Sequence, residues 1–260
     1  MKKFDGFLLV SDIDGTLAEE RFVPPANIRA IGKFVADGGQ VVLATGRSPQ
    51  SSVPVAKKLG CSALVIANNG AVVYDAQADQ IVLQHTLDCH QITAEIIEKF
   101  DVGAMYYCGD ELWLLKDNFE MTRLINSEQL TVKSKCDGAI NKVIFGGEPA
   151  VLDEIEEYFK SSGYSGGDMS RSGPTIVEIL PKGVNKGSAM TDIAKKLGIA
   201  KDKIFVAGNY YNDIDMIKQG AITCAPSDSP ENLKEMVDYI ACPCIEGAVA
   251  DFIDYLYKIY

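Results

Sequence analysis

A short apolar run that ends abruptly in two aspartates is the feature that most constrains this chain. The run covers residues 7–10 (FLLV) and continues at 11–16 as SDIDGT, which contains Asp12 and Asp14. Such a run is typical of a strand buried on both faces of a parallel sheet, and the residues after it lie at the sheet edge where α/β proteins bind ligands. Two buried acids need a cation or a proton between them. The pattern therefore favours Asp12 as nucleophile and metal ligand and Asp14 as proton carrier, with an ordinary acidic turn as the alternative.

Apolar strands alternate with amphipathic helices at both ends of the sequence. The strands are predicted at 7–10, 41–44, 63–67 and 204–207, and the helices include those at 187–197 and 246–257. Strand–helix alternation of this kind predicts a parallel sheet covered by helices.

The middle of the chain has a different pattern, with shorter alternating strands, hairpins and a few helices. We therefore predict an α/β fold in which a Rossmann-like parallel-sheet core is formed by residues 1–84 and 181–260. The remaining segment, 85–180, is predicted to be an α+β unit inserted into that core.

Composition excludes several classes of partner. The 260 residues carry a formal net charge of -11, which argues against nucleic acid as a partner and requires any phosphate site to supply its own cations. No apolar run approaches the roughly 20 residues that span a bilayer, and the N-terminus lacks an apolar signal core. We expect a cytoplasmic protein without a membrane partner, either a monomer or a homodimer. The seven cysteines form no CxxC pair and are expected to be reduced thiols.

Four motifs along the chain carry the polar residues of a candidate site. SDIDGT (11–16) and ATGR (44–47) follow the first two strands, VNKGSAM (184–190) opens a helix with Lys186, and AGNYYNDIDMI (207–217) follows a later strand. A helix N-terminus favours anions, and the ammonium of a lysine there adds to that attraction. In this order, the motifs resemble those of the haloacid dehalogenase superfamily, specifically its Cof-like capped branch, over nearly the whole chain. The resemblance implies that the 85–180 segment is a cap domain that selects the substrate.

The resemblance implies a Mg²⁺-dependent phosphatase that acts on a small phosphorylated metabolite, with sugar phosphates favoured. Asp12 would attack phosphorus and form an aspartyl-phosphate, while Asp14 would protonate the leaving alcohol and then take a proton from water. Arg47 would contact the substrate or pair with an acid. The residues implied as phosphate contacts are Thr45, Gly46, Lys186 and Asn212.

The fourth motif departs from the family pattern at Asn209, where the family usually has an aspartate that binds the metal directly. An amide oxygen can coordinate Mg²⁺ without contributing charge, so weaker metal binding is predicted. Asp213 is expected to hold a metal-bound water or Lys186, or to move in as a ligand. The ligand set implied is Asp12, Asp14 through its backbone carbonyl, Asn209 and Asp213.

Two other functions stay open. A low-activity protein that binds or senses a phosphorylated metabolite is one alternative, because of the substitution at Asn209, and a phosphomutase is the other. Aromatic residues of the inserted segment are expected either to stack on a sugar or to pack within a core: these are Tyr106, Tyr107, Trp113 and Tyr164.

Overall fold

A computed structural model describes residues 2–135 and 138–260 of the chain. Its strands are, in chain order, β1 (Leu8–Ser11), β2 (Gln40–Ala44), β3 (Leu64–Ala67), β4 (Val72–Asp75), β5 (Gln80–Gln84), β6 (Gly103–Cys108), β7 (Glu111–Lys116), β8 (Val132–Lys133), β9 (Lys142–Gly146), β10 (Gly167–Gly173), β11 (Ile176–Pro181), β12 (Ile204–Ala207), β13 (Ile222–Pro226) and β14 (Tyr239–Ala241). Its α-helices are α1 (Pro25–Ala36), α2 (Pro49–Leu59), α3 (His90–Lys99), α4 (Phe119–Glu128), α5 (Pro149–Ser161), α6 (Lys186–Leu197), α7 (Ile214–Ile217), α8 (Glu231–Lys234) and α9 (Ala248–Ile259).

The first sheet has the strand order β14-β13-β12-β1-β2-β3-β4-β5. Neighbours from β14 to β3 pair in parallel, whereas β4 and β5 at one edge pair antiparallel. Strand β1 is central, with Leu9 opposite Phe205 of β12 on one side and opposite Val41 of β2 on the other. The predicted parallel α/β core is confirmed, and the residues that follow β1, β2 and β12 come together at one edge.

Helices cover both faces of this sheet. Leu9 of β1 packs in a cluster with Phe34 of α1 and Phe252 of α9, while Leu8 packs on the opposite face with Met190 of α6. Burial on both faces explains why this strand is an uninterrupted apolar run rather than an alternating one.

The second sheet is formed by strands from the middle of the chain, in the order β10-β11-β9-β6-β7-β8. Its pairs are antiparallel except for β7 with β8. Helices α3 and α5 cover one face, through Ile96 and Ile155, and α4 packs on the other face through Met121. The α4 face is the one that contributes to the cavity described below.

Two further predictions concern cysteines and membranes. Five cysteines of the described residues are free thiols, as predicted, namely Cys61, Cys89, Cys224, Cys242 and Cys244, whereas Cys136 lies outside these residues. Across residues 2–135 and 138–260, the structure contains no helix with the length and apolar character that crossing a membrane requires.

Candidate active site

Asp12, Lys186 and Asp213 form a buried charged cluster at the edge where β1 and β12 end. Asp12 follows β1 directly, Asp213 lies in the turn after β12, and Lys186 is the first residue of α6. The Lys186 Nζ donates to Asp12 Oδ1 at 2.6 Å and to Asp213 Oδ1 at 2.7 Å. All three side chains are almost inaccessible to solvent. One ammonium therefore serves as the shared partner of two buried carboxylates.

The N-terminus of α6 fixes the position of Lys186. Asn185 Oδ1 accepts a hydrogen bond from the Ser188 backbone N–H at 2.8 Å, and Ser188 Oγ accepts one from the Asn185 N–H at 3.1 Å. This reciprocal capping box ends the extended linker and starts the helix at the next residue. The prediction that Lys186 opens a helix is confirmed.

The cluster carries one negative charge in excess when all three groups are ionised. Burial raises the pKa of Asp12 to about 7; the Lys186 charge opposes this shift, and the nearby Asp213 and Asp14 carboxylates add to it. For Lys186, burial alone would lower the pKa, but Asp12 and Asp213 outweigh it, so the pKa stays above its ordinary value. The ammonium is thus retained, and the excess negative charge favours a cation near Asp12.

Asp14 differs from Asp12 in its surroundings, which corrects the expectation that the two acids are buried together. Its side chain is 51% exposed and forms an ion pair with the buried Arg47. The Arg47 Nε donates to Asp14 Oδ2 at 2.8 Å, and its Nη2 donates to the other carboxylate oxygen and, at 2.7 Å, to the Glu20 carbonyl. Gly15, with φ +75°, turns the chain at this point. Of the two alternatives for Arg47, the structure shows the pairing with an acid.

The predicted phosphate contacts lie around the same edge but not all on the cavity. Gly46 and Asn212 line a cavity of about 510 Å³ together with Asp12, whereas Thr45 and Lys186 lie behind its surface. Thr45 is fully buried, and its Oγ1 accepts a hydrogen bond from the Arg47 N–H at 3.1 Å. The amide of Asn212 donates to Asn69 Oδ1 at 3.1 Å.

The amide of Asn209 decides whether a divalent cation fits beside Asp12. One terminal atom of this amide lies 3.0 Å from the Asp14 carbonyl oxygen, 3.2 Å from Asp12 Oδ2 and 3.3 Å from Thr16 Oγ1. Without a cation, this atom is the nitrogen, because its neighbours are oxygen acceptors. Adjacent ligands of an octahedral Mg²⁺ lie about 3 Å apart, so the same spacing suits the amide oxygen once a cation is present.

The donor set that fits Mg²⁺ is therefore the Asp12 carboxylate, the Asp14 carbonyl and the Asn209 amide. This set is poor in charged ligands, and within the described part of the chain no three His, Cys, Asp or Glu side chains cluster as a metal site. Asp213 Oδ1 accepts a hydrogen bond from Lys186. Its Oδ2 accepts hydrogen bonds from the backbone N–H groups of Asn209, at 2.8 Å, and Tyr210, at 3.1 Å. Of the alternatives expected for Asp213, the structure shows the contact with Lys186, and its place in the predicted ligand set stays a prediction.

The second sheet and α4 supply the opposite wall of the cavity. This wall includes Tyr107, Arg123, Glu128, Lys142, Ile144 and the loop at 172–176. Burial raises the pKa of Glu128, and the negative charge of Asp14 raises it further. The Ser51 hydroxyl donates a hydrogen bond to the Glu128 carboxylate at 2.8 Å. Sequence analysis missed Glu128 and Lys142, because no local motif distinguishes them from surface charges.

The aromatic residues of the inserted segment divide between the two expected roles. Tyr107 lines the cavity, whereas Tyr106 and Trp113 pack edge to face within the core of the second sheet, with ring centroids 5.7 Å apart. Tyr164 also packs against that core. Tyr107 is therefore the aromatic residue of this set whose position allows contact with a ligand.

Known proteins resemble this chain over most of its length. A 5-amino-6-(5-phospho-D-ribitylamino)uracil phosphatase from Bacillus subtilis is 27% identical over 249 residues, covering 95% of this chain and 94% of that protein. A haloacid dehalogenase-like hydrolase from Bacteroides thetaiotaomicron has a TM-score of 0.84 at 21% identity, covering 98% and 100% of the two chains. A protein of known structure from Thermotoga maritima has a TM-score of 0.80 at 25% identity, covering 96% and 97%. Residues 9–253 match the model of the haloacid dehalogenase-like hydrolases, and this chain belongs to that family.

Proposed function

We propose that this protein is a Mg²⁺-dependent phosphatase that hydrolyses small phosphate monoesters through an aspartyl-phosphate on Asp12. The observation that carries the proposal is the buried Asp12 carboxylate, held by the Lys186 ammonium on one oxygen and reaching the cavity. Attack by an anion on a phosphate dianion requires neutralisation, and Lys186 supplies one fixed positive charge. The Bacillus subtilis relative, a phosphatase by name, supports the same reaction.

The two chemical steps divide between the two aspartates. In the first step an Asp12 oxygen forms a bond to phosphorus, the bond to the alcohol breaks, and Asp14 gives its proton to that alcohol. In the second step Asp14 takes a proton from water as the water oxygen bonds to phosphorus, and the bond between Asp12 and phosphorus breaks. Inorganic phosphate is then released.

Arg47 connects substrate binding to the availability of Asp14. Its guanidinium occupies both oxygens of the Asp14 carboxylate in this structure. A phosphate offers the same planar fork a second anionic partner. We expect bound substrate to draw Arg47 away, so that the half-exposed Asp14 carboxylate can take up from solvent the proton that it gives to the leaving alcohol.

Mg²⁺ would be held by Asp12 Oδ2, the Asp14 carbonyl and the Asn209 amide oxygen. Bound there, it would supply positive charge that offsets repulsion between the carboxylate and the phosphate. Asn209 adds no negative charge, so the chain is expected to need more Mg²⁺ than an aspartate at this position would require.

The cavity walls support a polyhydroxylated substrate. Charged side chains from the loop after β1 (Glu20) and from α4 (Arg123 and Glu128) face the same space as Tyr107. Hydroxyl groups of a sugar can pair with such side chains, while a purely apolar leaving group would leave them unpaired. We propose sugar phosphates as the substrate class and the 85–180 segment as the cap that selects among them. The phosphorylated ribityl group in the name of the Bacillus subtilis relative's substrate is in line with this choice.

A phosphate-release assay tests the proposal. The parent protein should hydrolyse p-nitrophenyl phosphate and a panel of sugar phosphates only with Mg²⁺, and the Asp12→Asn variant should lose turnover.

A second function is favoured by the neutral Asn209, namely a protein that binds a phosphorylated metabolite and turns it over poorly. Absence of turnover at every Mg²⁺ concentration, with binding of sugar phosphates retained, would establish that function instead.

A further inference from the structure

A buried ion pair of the second sheet reaches into the ATGR loop of the first. Lys142 of β9 and Glu178 of β11 pair at 2.9 Å, with side chains 4% and 0% exposed. The Lys142 Nζ also donates to the Gly46 carbonyl at 2.6 Å, across the boundary between the two sheets. Such a pair is weak evidence for stability, because apolar residues of similar volume are often at least as stabilising. Its charges therefore call for another explanation.

Lys142 is not a free cation for the substrate, although it lies on the cavity wall. Its Nζ donates a hydrogen bond to the Gly46 carbonyl, forms an ion pair with Glu178 Oε2 without hydrogen-bond geometry, and lies 4.3 Å from the centre of the Tyr107 ring. These partners surround the ammonium on three sides. Its contacts thus point to a role in holding protein groups.

The carbonyl groups of Thr45, Gly46 and Arg47 in the ATGR loop are each held by another segment. The Thr45 carbonyl accepts the Asn69 N–H at 2.9 Å, and the Arg47 carbonyl accepts the Asn68 N–H at 2.9 Å. Both of these donors belong to the first sheet's own connections. The Gly46 carbonyl between them is the one held by Lys142 of the second sheet.

The Gly46 carbonyl shares a rigid peptide plane with the Arg47 N–H, so fixing one orients the other. That N–H donates to Thr45 Oγ1 at 3.1 Å. A hydroxyl that accepts a hydrogen bond from the backbone keeps its own hydrogen available for another acceptor. Lys142 therefore acts, through one peptide plane, on the direction in which the Thr45 hydroxyl donates.

Glu178 extends the same connection to the fourth motif. Its second carboxylate oxygen accepts a hydrogen bond from the Asn69 amide, and the Asn69 amide oxygen accepts one from Asn212 at 3.1 Å. Gly46 packs against this amide: a Cβ added at Gly46 would meet it at 3.2 Å. One ion pair thus contacts both the Gly46 carbonyl and the partner of Asn212.

We propose that Lys142 and Glu178 are positioning residues, which set the ATGR loop and Asn212 for phosphate binding when the two sheets are in contact. The proposal rests on the proposed function, because it gives the pair a role in phosphate recognition. Without Lys142 the Gly46–Arg47 peptide keeps only the hydrogen bond from the Arg47 N–H to Thr45 Oγ1, so its orientation is less restrained and the loop binds phosphate in a mixture of conformations.

The test compares phosphate affinity with stability in three variants. Lys142→Met should weaken binding of inorganic phosphate, measured by calorimetry with Mg²⁺ present, by about 10- to 100-fold. It should also lower Tm, because Glu178 is left buried without its cation. The double variant Lys142→Met with Glu178→Leu removes both charges and should recover much of the Tm, while its phosphate affinity stays low. Lys116→Met, which removes a partly exposed lysine of the same sheet that pairs with the fully exposed Asp101, is the matched control and should change neither quantity.

A double variant that folds like the parent and binds phosphate as tightly would overturn the proposal. So would an equal loss of affinity in the Lys116→Met control. Failure of the proposed function has a different signature, which is a parent protein that binds phosphate but does not hydrolyse p-nitrophenyl phosphate. In a parent that is active, kcat/KM of the double variant should fall together with its phosphate affinity.

Discussion

Replacing Asp12 by asparagine should make the protein more stable while it removes the nucleophile. In the parent, the buried cluster has two carboxylates for one ammonium, and the variant leaves a balanced pair of Asp213 and Lys186. Burial raises the pKa of Asp12 from 3.8 to about 7. At pH 8 this shift corresponds to at most about 4 kcal/mol of destabilisation in the ionised form. A misplaced amide donor costs about 1–3 kcal/mol, so we expect a net gain of about 1–3 kcal/mol.

The sign of the pH dependence makes this prediction specific. A carboxyl group with a raised pKa in the folded state holds its proton there after the unfolded chain has lost it. The free energy of unfolding of the parent therefore falls as pH rises from about 4 to 7, and the variant lacks this fall. Urea unfolding in EDTA at pH 4.5, 6 and 8 should show the variant equal to the parent or up to about 2 kcal/mol less stable at pH 4.5, because only the amide cost remains there, and the full gain at pH 8.

Asp213→Asn is the matched control for this experiment. It removes the same charge from the same ammonium, but Asp213 Oδ2 also accepts two backbone N–H groups, from Asn209 and Tyr210. The control should therefore be less stable than the parent at pH 8. A gap between Asp12→Asn and the parent that stays constant or shrinks as pH rises would refute the reasoning from excess buried charge.

Three further substitutions test neighbouring parts of the site. Lys186→Met leaves the carboxylates of Asp12 and Asp213 without a cation, so it should lower the free energy of unfolding by about 3–5 kcal/mol at pH 8 and abolish turnover. Asn209→Asp should tighten Mg²⁺ binding about tenfold by calorimetry, because it adds a charged ligand, and an unchanged affinity would place this residue outside the metal site. Thr45→Val keeps the shape of the side chain but removes its hydroxyl, so kcat/KM should fall at least about tenfold while stability falls by about 1 kcal/mol.

The sequence was sufficient to predict the core, because its apolar runs predict strands buried on both faces and the structure shows that burial. The strand predicted at 7–10 is observed at Leu8–Ser11, and both of its faces are buried. Helix boundaries were less accurate: the helix predicted at 246–257 begins at Ala248. Residues 244–246 instead form a 3₁₀ turn, and Gly247 adopts φ +107°, which interrupts the helix.

The candidate site divides in the same way. The sequence alone predicts that the residues after β1, β2 and β12 lie close together, because parallel strands of a sheet end at the same edge. The position of the Asp14 side chain, half-exposed and paired with Arg47, could not be predicted. It depends on how the loop after β2 approaches the loop after β1. Lys142 and Glu128 also escaped prediction, because they join the cavity only when the second sheet packs against the first. Their local sequence resembles that of ordinary surface charges.

The neutral Asn209 changes the charge of the site in each state of loading. With Asp12 and Asp213 ionised and Lys186 protonated, the cluster has a charge of -1, and the Asp14–Arg47 pair adds nothing. A divalent cation brings the total to +1, whereas an aspartate at position 209 would leave it at zero. The loaded site therefore attracts a phosphate dianion more strongly than it would with the additional acid. The cation raises the charge of the site by two units in either case, so the coupling between cation and phosphate is the same. The substitution that weakens cation binding thus favours phosphate binding in the loaded site.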